Sequence, residues 1–110
     1  MSEENVTKVL QMISTAGTAR AKYMEAISFA KTYDFDKAKE LMAEGGECFK
    51  MAHDVHTEFL ASASADIAAK GNSDINLILI HAEDQMMCAE TFRLMAEELI
   101  DVYQKINSQR

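Results

Sequence analysis

The sequence predicts an all-α fold: three long antiparallel helices in an up-down-up bundle. Three observations carry that reading. The 110 residues hold no Pro and only four Gly, where an average chain of that length carries about five or six Pro and about eight Gly. Apolar residues recur at alternating spacings of four and three over most of the chain, which is the period of a helix face rather than of a strand. That periodicity lapses at two places only, leaving three segments and two short connections. Sandwiches and small barrels, which need frequent tight turns, are disfavoured on the same grounds. The chain is expected to form one domain over residues 1–110.

The first helix is expected over about residues 4–32, with Val6, Leu10, Ile13, Gly17, Met24 and Ile27 on one stripe. It stops where Thr32-Tyr33-Asp34-Phe35-Asp36 interrupts the pattern. Asp34 is a good N-cap there, because its carboxylate can accept from backbone N–H groups that the next helix leaves unpaired. The second helix, over 35–70, carries Ala38, Met42, Gly45, Phe49, Ala52, His56, Phe59 and Ala63 as its seam. Gly45 and Gly46 within it cost about 1 kcal/mol each relative to Ala. The seam nevertheless keeps its phase from Met42 to Phe49, so close backbone packing explains them better than a break. Lys70-Gly71 ends this helix, since Gly suits the left-handed position after a helix C-terminus. Ser73 or Asp74 then caps the third helix, expected over 74–107, whose seam is Ile78, Ala82, Gln85, Ala89, Phe92, Ala96, Leu99, Tyr103 and Ile106.

Helices of about thirty residues are about 45 Å long, and three of them make a thin rod with little interior. The third segment is apolar on more than one side. Ile75, Leu79, Met86 and Ile100 form a second stripe, and Cys88, Met95 and Val102 a third. Surplus apolar surface of that kind implies burial against another subunit.

With 18 Asp+Glu against 11 Lys+Arg, the net charge is −7. Nucleic acid and anionic membrane surfaces both need a basic face, so neither is an expected partner. The apolar run Leu77-Ile78-Leu79-Ile80 ends at His81, far short of the roughly 20 residues of a spanning helix. Met1-Ser2-Glu3-Glu4 is acidic and no signal-peptide core follows it. Cys48 and Cys88 stand in no metal or redox spacing, and read as free buried thiols. A soluble cytoplasmic domain is the expectation.

Most chemistries fail on spacing. There is no glycine-rich phosphate loop and no nucleophile elbow. None of the three histidines has the Glu three residues before it that a di-iron bundle needs. His53 and His56, at i and i+3, could share a metal from one helix face, but no third ligand adjoins them. His81 opens the segment His81-Ala82-Glu83-Asp84-Gln85-Met86-Met87. On a helix, His81, Asp84 and Gln85 occupy one face. Asp84 sits there among Ile80, Met87 and Cys88, where an unpaired carboxylate must meet water, a cation or a donor. Spacing alone leaves open both a satisfied polar cluster and an active site.

That segment resembles the signature of the lactose/cellobiose-type enzyme IIA components of the bacterial sugar phosphotransferase system, which typically reads His-Ala/Gly-Gln-Asp-His-Leu-Met. His81, Ala82, Asp84 and Met87 match it. Ala16-Gly17 with Ala19-Arg20 is similar to the family's first-helix motif, Asp34-Phe35 with Lys37-Ala38 to its first turn, and Ala52-His53 with Thr57 to its second helix. Leu99-Ile100 with Tyr103 is similar to the end of its third helix. The resemblance implies a homotrimer of three-helix bundles acting as a phosphoryl carrier. His81 would accept phosphate from the histidine-containing phosphocarrier protein and pass it to a cysteine of the IIB component, which phosphorylates the sugar. Asp84 would be a metal ligand near the trimer axis, one divalent cation such as Mg²⁺ serving three copies. An imidazole, with an ordinary pKa of about 6.5, is available as a nucleophile near neutral pH. Three carboxylates converging in an apolar interface need a cation.

Two residues depart from the signature. Glu83 stands where the family has Gln, and Gln85 where it has a second His. Gln85 keeps an amide that can bond a phosphoryl oxygen, whereas a carboxylate at 83 repels one. At about 100° per residue, Glu83 points away from its own His81, though in a trimer it can approach a neighbour's site. His56 occupies a position where the family usually has Gln, and could supply the missing imidazole if the second helix packs beside the third. Gln85, Glu83 and His56 are thus the expected neighbours of the phosphoryl site, and Ile78, Met86 and Met87 the expected docking residues. The rival reading is a regulatory paralogue that keeps the trimeric bundle and has lost phosphotransfer. The sugar is not written in these residues, because by the resemblance the IIC channel selects it.

Overall fold

A computed structural model describes residues 1–73 and 75–110. It contains three helices, α1 (Glu3–Lys31), α2 (Phe35–Lys70) and α3 (Leu77–Ser108), and no strand among the described residues. Each helix begins at a side-chain cap. Ser2 accepts from the Asn5 N–H, and Glu3 and Glu4 follow in the first turn, where negative charge suits the helix dipole. Asp34 accepts from the Lys37 N–H, as its sequence position implies. Between them Tyr33 takes a left-handed φ of 65°. The turn is closed by the Tyr33 and Asp34 N–H groups donating to the Ala30 and Phe29 carbonyls. The Arg110 guanidinium lies 4.1 Å from the Tyr33 ring centroid and ties the C-terminus to this turn.

Gly71 ends α2 at φ 77°, its N–H donating to the Ile67 carbonyl. The third helix starts later than the capping residues suggested. Asn76 caps it by accepting from the Leu79 N–H, so α3 begins at Leu77 rather than 74. Ser73 lies ahead of the helix, and Asp74 is outside the described residues. Three capping-type residues within four positions make the start ambiguous in sequence, and the one nearest the apolar run provides the cap.

The molecule is a rod of 62 × 23 × 18 Å with a radius of gyration of 17.3 Å, against about 13 Å for a compact chain of this length. The α2 seam faces inward as expected, with Ala38, Gly45 and Ala52 buried together with Leu41. The α1 seam is a different stripe from the expected one through Val6, Leu10 and Met24. Val9, Met12, Ala16, Ala19, Tyr23, Ala26 and Ala30 are buried, together with Ile27. Val6, Leu10 and Met24 face outward. On α3 the buried line is Ala82, Met86, Ala89 and Ala96, so Met86 joins the expected seam while Ile78, Leu99 and Ile106 lie exposed. Small residues fill the inside because three helices this close leave little room between them. Gly45 shows how little: a Cβ built there would stand 2.6 Å from Tyr23 Cε1. Gly46 meets nothing within 4 Å, so close packing accounts for one glycine of the pair.

Candidate functional site

α3 displays the His81 segment as a helix presents any sequence, about 100° per residue. Ala82 and Met86 point into the core. On either side of that core line, two neighbours are taken up by the other helices. Glu83 faces α2, where its Oε2 lies 2.8 Å from His56 Nε2. An ionised carboxylate only accepts, so Nε2 carries the proton and donates. Gln85 faces α1, where its Oε1 accepts from Arg20 Nη1 at 3.5 Å. His81 and Asp84 are both exposed on the remaining side of α3. Neither makes a hydrogen bond or ion pair with another described residue.

His81 and Asp84 therefore share the exposed face of α3, and Gln85 lies at its edge against α1. His56 does reach α3, but its Nε2 is engaged by Glu83, and its side chain is only 16% exposed. Ile78 and Met87 border His81 in the open, 39% and 50% exposed. Met86 does not: it is 2% exposed and packs in the core. Five residues on from His81, it lies about 140° around the helix and so faces the other two helices. Arg20 is the site residue that spacing within α3 could not reveal. Its place follows from α1 and α3 running parallel, which sets position 20 beside position 85.

No group of three His, Cys, Asp or Glu among the described residues could hold a metal ion. The His53 and His56 rings are 6.4 Å apart between centroids, with His56 bonded to Glu83 instead. Cys48 and Cys88 are free and partly, not fully, buried.

Comparison with known proteins places this arrangement. The family model for the PTS system, lactose/cellobiose-specific IIA subunit, matches residues 7–104. The chain belongs to that IIA family. It is 34% identical, over all of its own length and 96% of the relative's, to the lichenan-specific phosphotransferase enzyme IIA component of Bacillus subtilis. It is 36% identical to a lactose-specific EIIA component of Staphylococcus epidermidis, over 86% of this chain and 88% of that one. The crystal structure of a cellobiose-specific enzyme IIA from Bacillus anthracis superposes with a TM-score of 0.85 at 33% identity, covering 100% and 97% of the two chains. The IIA(Chitobiose) protein of Escherichia coli, solved in complex with HPr, superposes with a TM-score of 0.76 at 27% identity, covering 96% and 99%. Membership of the IIA family makes the chain a phosphotransferase-system component of the phosphate-carrying kind. No helix among the described residues is long and apolar enough to cross a membrane.

Proposed function

We propose that this IIA-family chain carries a phosphoryl group on His81, taken from the histidine-containing phosphocarrier protein and given to a IIB cysteine during sugar uptake at the cytoplasmic side of the membrane. The observation that carries the reading is the state of His81. It is the exposed imidazole of the matched signature, with no partner among the described residues, and the side chains beside it are already held. In the first transfer, a lone pair on the neutral His81 ring attacks phosphorus. A new N–P bond forms as the donor's N–P bond breaks, and the donor imidazole takes up a proton as it leaves. In the second, the IIB thiolate attacks the same phosphorus and His81 departs. Gln85, braced by Arg20, offers an amide donor one turn along, and the guanidinium behind it adds positive charge where phosphoryl oxygens gather.

The bundle acts as a homotrimer in this reading. The outward line of α3 that contains Leu77, Asp84, Cys88, Met95 and Val102 repeats at coiled-coil spacing. Leu77, Met95 and Val102 on it are 80%, 54% and 48% exposed in the single chain. Packing three such lines together would bury them and bring three Asp84 carboxylates to the axis, where a divalent cation such as Mg²⁺ offsets their repulsion. The test is labelling with phosphoenolpyruvate, the general phosphotransferase enzyme and the phosphocarrier protein. Acid-labile phosphate on His81, absent from His81→Ala, is the expected result. No label on the wild type, with a control IIA labelled in parallel, rejects the carrier role and favours the regulatory paralogue.

A further inference from the structure

Two departures from the family's usual residues, one in the signature and one on the second helix, touch one another. Glu83 on α3 and His56 on α2 replace residues that are both usually Gln in the family, and in this chain their side chains meet at 2.8 Å. The contact is partly buried, with the imidazole side chain 16% and the carboxylate side chain 37% exposed. We propose that His56 is a positioning residue for phosphoryl transfer: it holds the Glu83 carboxylate on the α2 side of α3, so that the acidic substitution does not oppose phosphate on His81. The inference rests on the carrier reading above.

The physical need is plain. A phosphoryl group on His81 adds about two negative charges, and Glu83 is two residues away on the same helix. Its charge acts on any phosphoryl group nearby, whether on its own His81 or on that of a neighbouring copy. A Gln–Gln pair has no such charge to manage. A Glu facing Leu or Ala at 56, with no side-chain donor, would leave a carboxylate free to reorient. The His56 N–H instead gives it a donor on the far side of the helix from His81, about 160° around. No change in protonation is required, because the neutral Nε2–H tautomer makes the same bond. The two substitutions are then a matched pair, each tolerable because of the other.

The experiment compares initial rates of His81 phosphorylation by the phosphocarrier protein in four chains. His56→Ala removes the donor and is expected to slow transfer about three- to tenfold, the size of a nearby unscreened carboxylate. His56→Ala with Glu83→Gln removes the charge as well and should recover most of that loss. His56→Gln, which keeps an N–H donor, should stay within about twofold of the wild type. Circular dichroism melts accompany each rate. A purely structural contact predicts that the double variant is at least as slow as His56→Ala, and that result overturns the proposal. So does a His56→Ala rate equal to the wild type. If His56→Ala does not fold, a loss of more than about twofold in folded His56→Gln overturns it, and a rate within about twofold supports it. An unlabelled wild type rejects the carrier reading and this inference together, whereas a labelled wild type indifferent to His56 rejects the inference alone.

Discussion

The edge of the Tyr23 ring occupies the space that a side chain at Gly45 would need. A Cβ on Gly45 would stand 2.6 Å from Cε1 and 2.9 Å from Cδ1 of that ring, and 3.2 Å from Lys22 Cβ. Tyr23 is fully buried and cannot swing aside without disturbing the α1–α2 interface. Gly45→Ala should therefore destabilise the chain by up to about 2 kcal/mol, the overpacking cost of about 1–3 kcal/mol less the gain of about 1 kcal/mol in helix propensity. Gly46→Ala has open space and keeps only the gain, so it should stabilise by about 0.5–1 kcal/mol. Thermal melts at one fixed protein concentration test both signs at once, at about 4 °C per kcal/mol for a chain of this size.

Tyr23 brings a second consequence. Its hydroxyl is buried with no hydrogen-bond partner among the described residues, and burial pushes its phenol above the ordinary value of 10.0, the Arg93 cation offsetting this only in part. The folded state holds that proton more tightly than the unfolded state. Stability from this group is thus fully present below about pH 10 and is lost as pH rises through the raised value. Tyr23→Phe should match or exceed the wild type at pH 7, since an unsatisfied hydroxyl is removed, and should lose less stability between pH 10 and 11. Lys8 and Lys22, whose protonated forms are favoured by Glu58 and Glu44, titrate in the same alkaline range in both proteins. Urea melts across that range, compared between the two chains, isolate the phenol.

Helix number, order and the first connection were legible because each rests on local chemistry. Asp34 caps and Gly71 turns left-handed for reasons contained in a few residues. The facing of α1 was not legible in the same way. Leu10 and Met24 lie outside, while Val9, Met12, Tyr23 and a line of alanines lie inside. Hydrophobicity alone cannot separate a stripe packed within the protomer from one left for another subunit. At the site, the exposed face shared by His81 and Asp84, with Gln85 at its edge, follows from helical period. The contacts of His56 with Glu83 and of Arg20 with Gln85 span 27 and 65 positions, so they depend on how the helices slide past one another. Met86 is buried and not a docking residue because the core line of α3 runs through it, a direction that only the packing of the other two helices defines.

Arg20 should matter to chemistry more than to folding. Its guanidinium bonds Gln85 at 3.5 Å from a partly buried position on α1. A charge-assisted bond is worth about 1.5–3 kcal/mol where it forms. With about half of that realised only once the phosphoryl group has arrived, Arg20→Ala should slow His81 phosphorylation about four- to twelvefold. Arg20→Lys keeps the charge without the planar fork and should fall between the two. Equal rates in all three chains, with melting temperatures unchanged, would limit Arg20 to the surface of the bundle.

Asp84 offers the clearest separation between assembly and metal. Its carboxylate is exposed and unpaired among the described residues, and no group of three possible metal ligands stands together among them. In a trimer, three such carboxylates repel unless a cation joins them, so the wild type should contain one divalent ion per three chains by elemental analysis. Chelation should lower its melting temperature, since a ligand present at 100 times its dissociation constant adds about 2.7 kcal/mol to the folded assembly. Asp84→Leu removes both the repulsion and the ligand. That variant should sediment as a trimer, contain no metal, and melt at a temperature indifferent to chelator, with stability at or above that of the metal-free wild type because an apolar side chain replaces a desolvated charge. A trimer that keeps its metal after Asp84→Leu would assign the ligand elsewhere. Loss of the trimer with the metal still bound to the monomer would place the site within one protomer, against the geometry of α3.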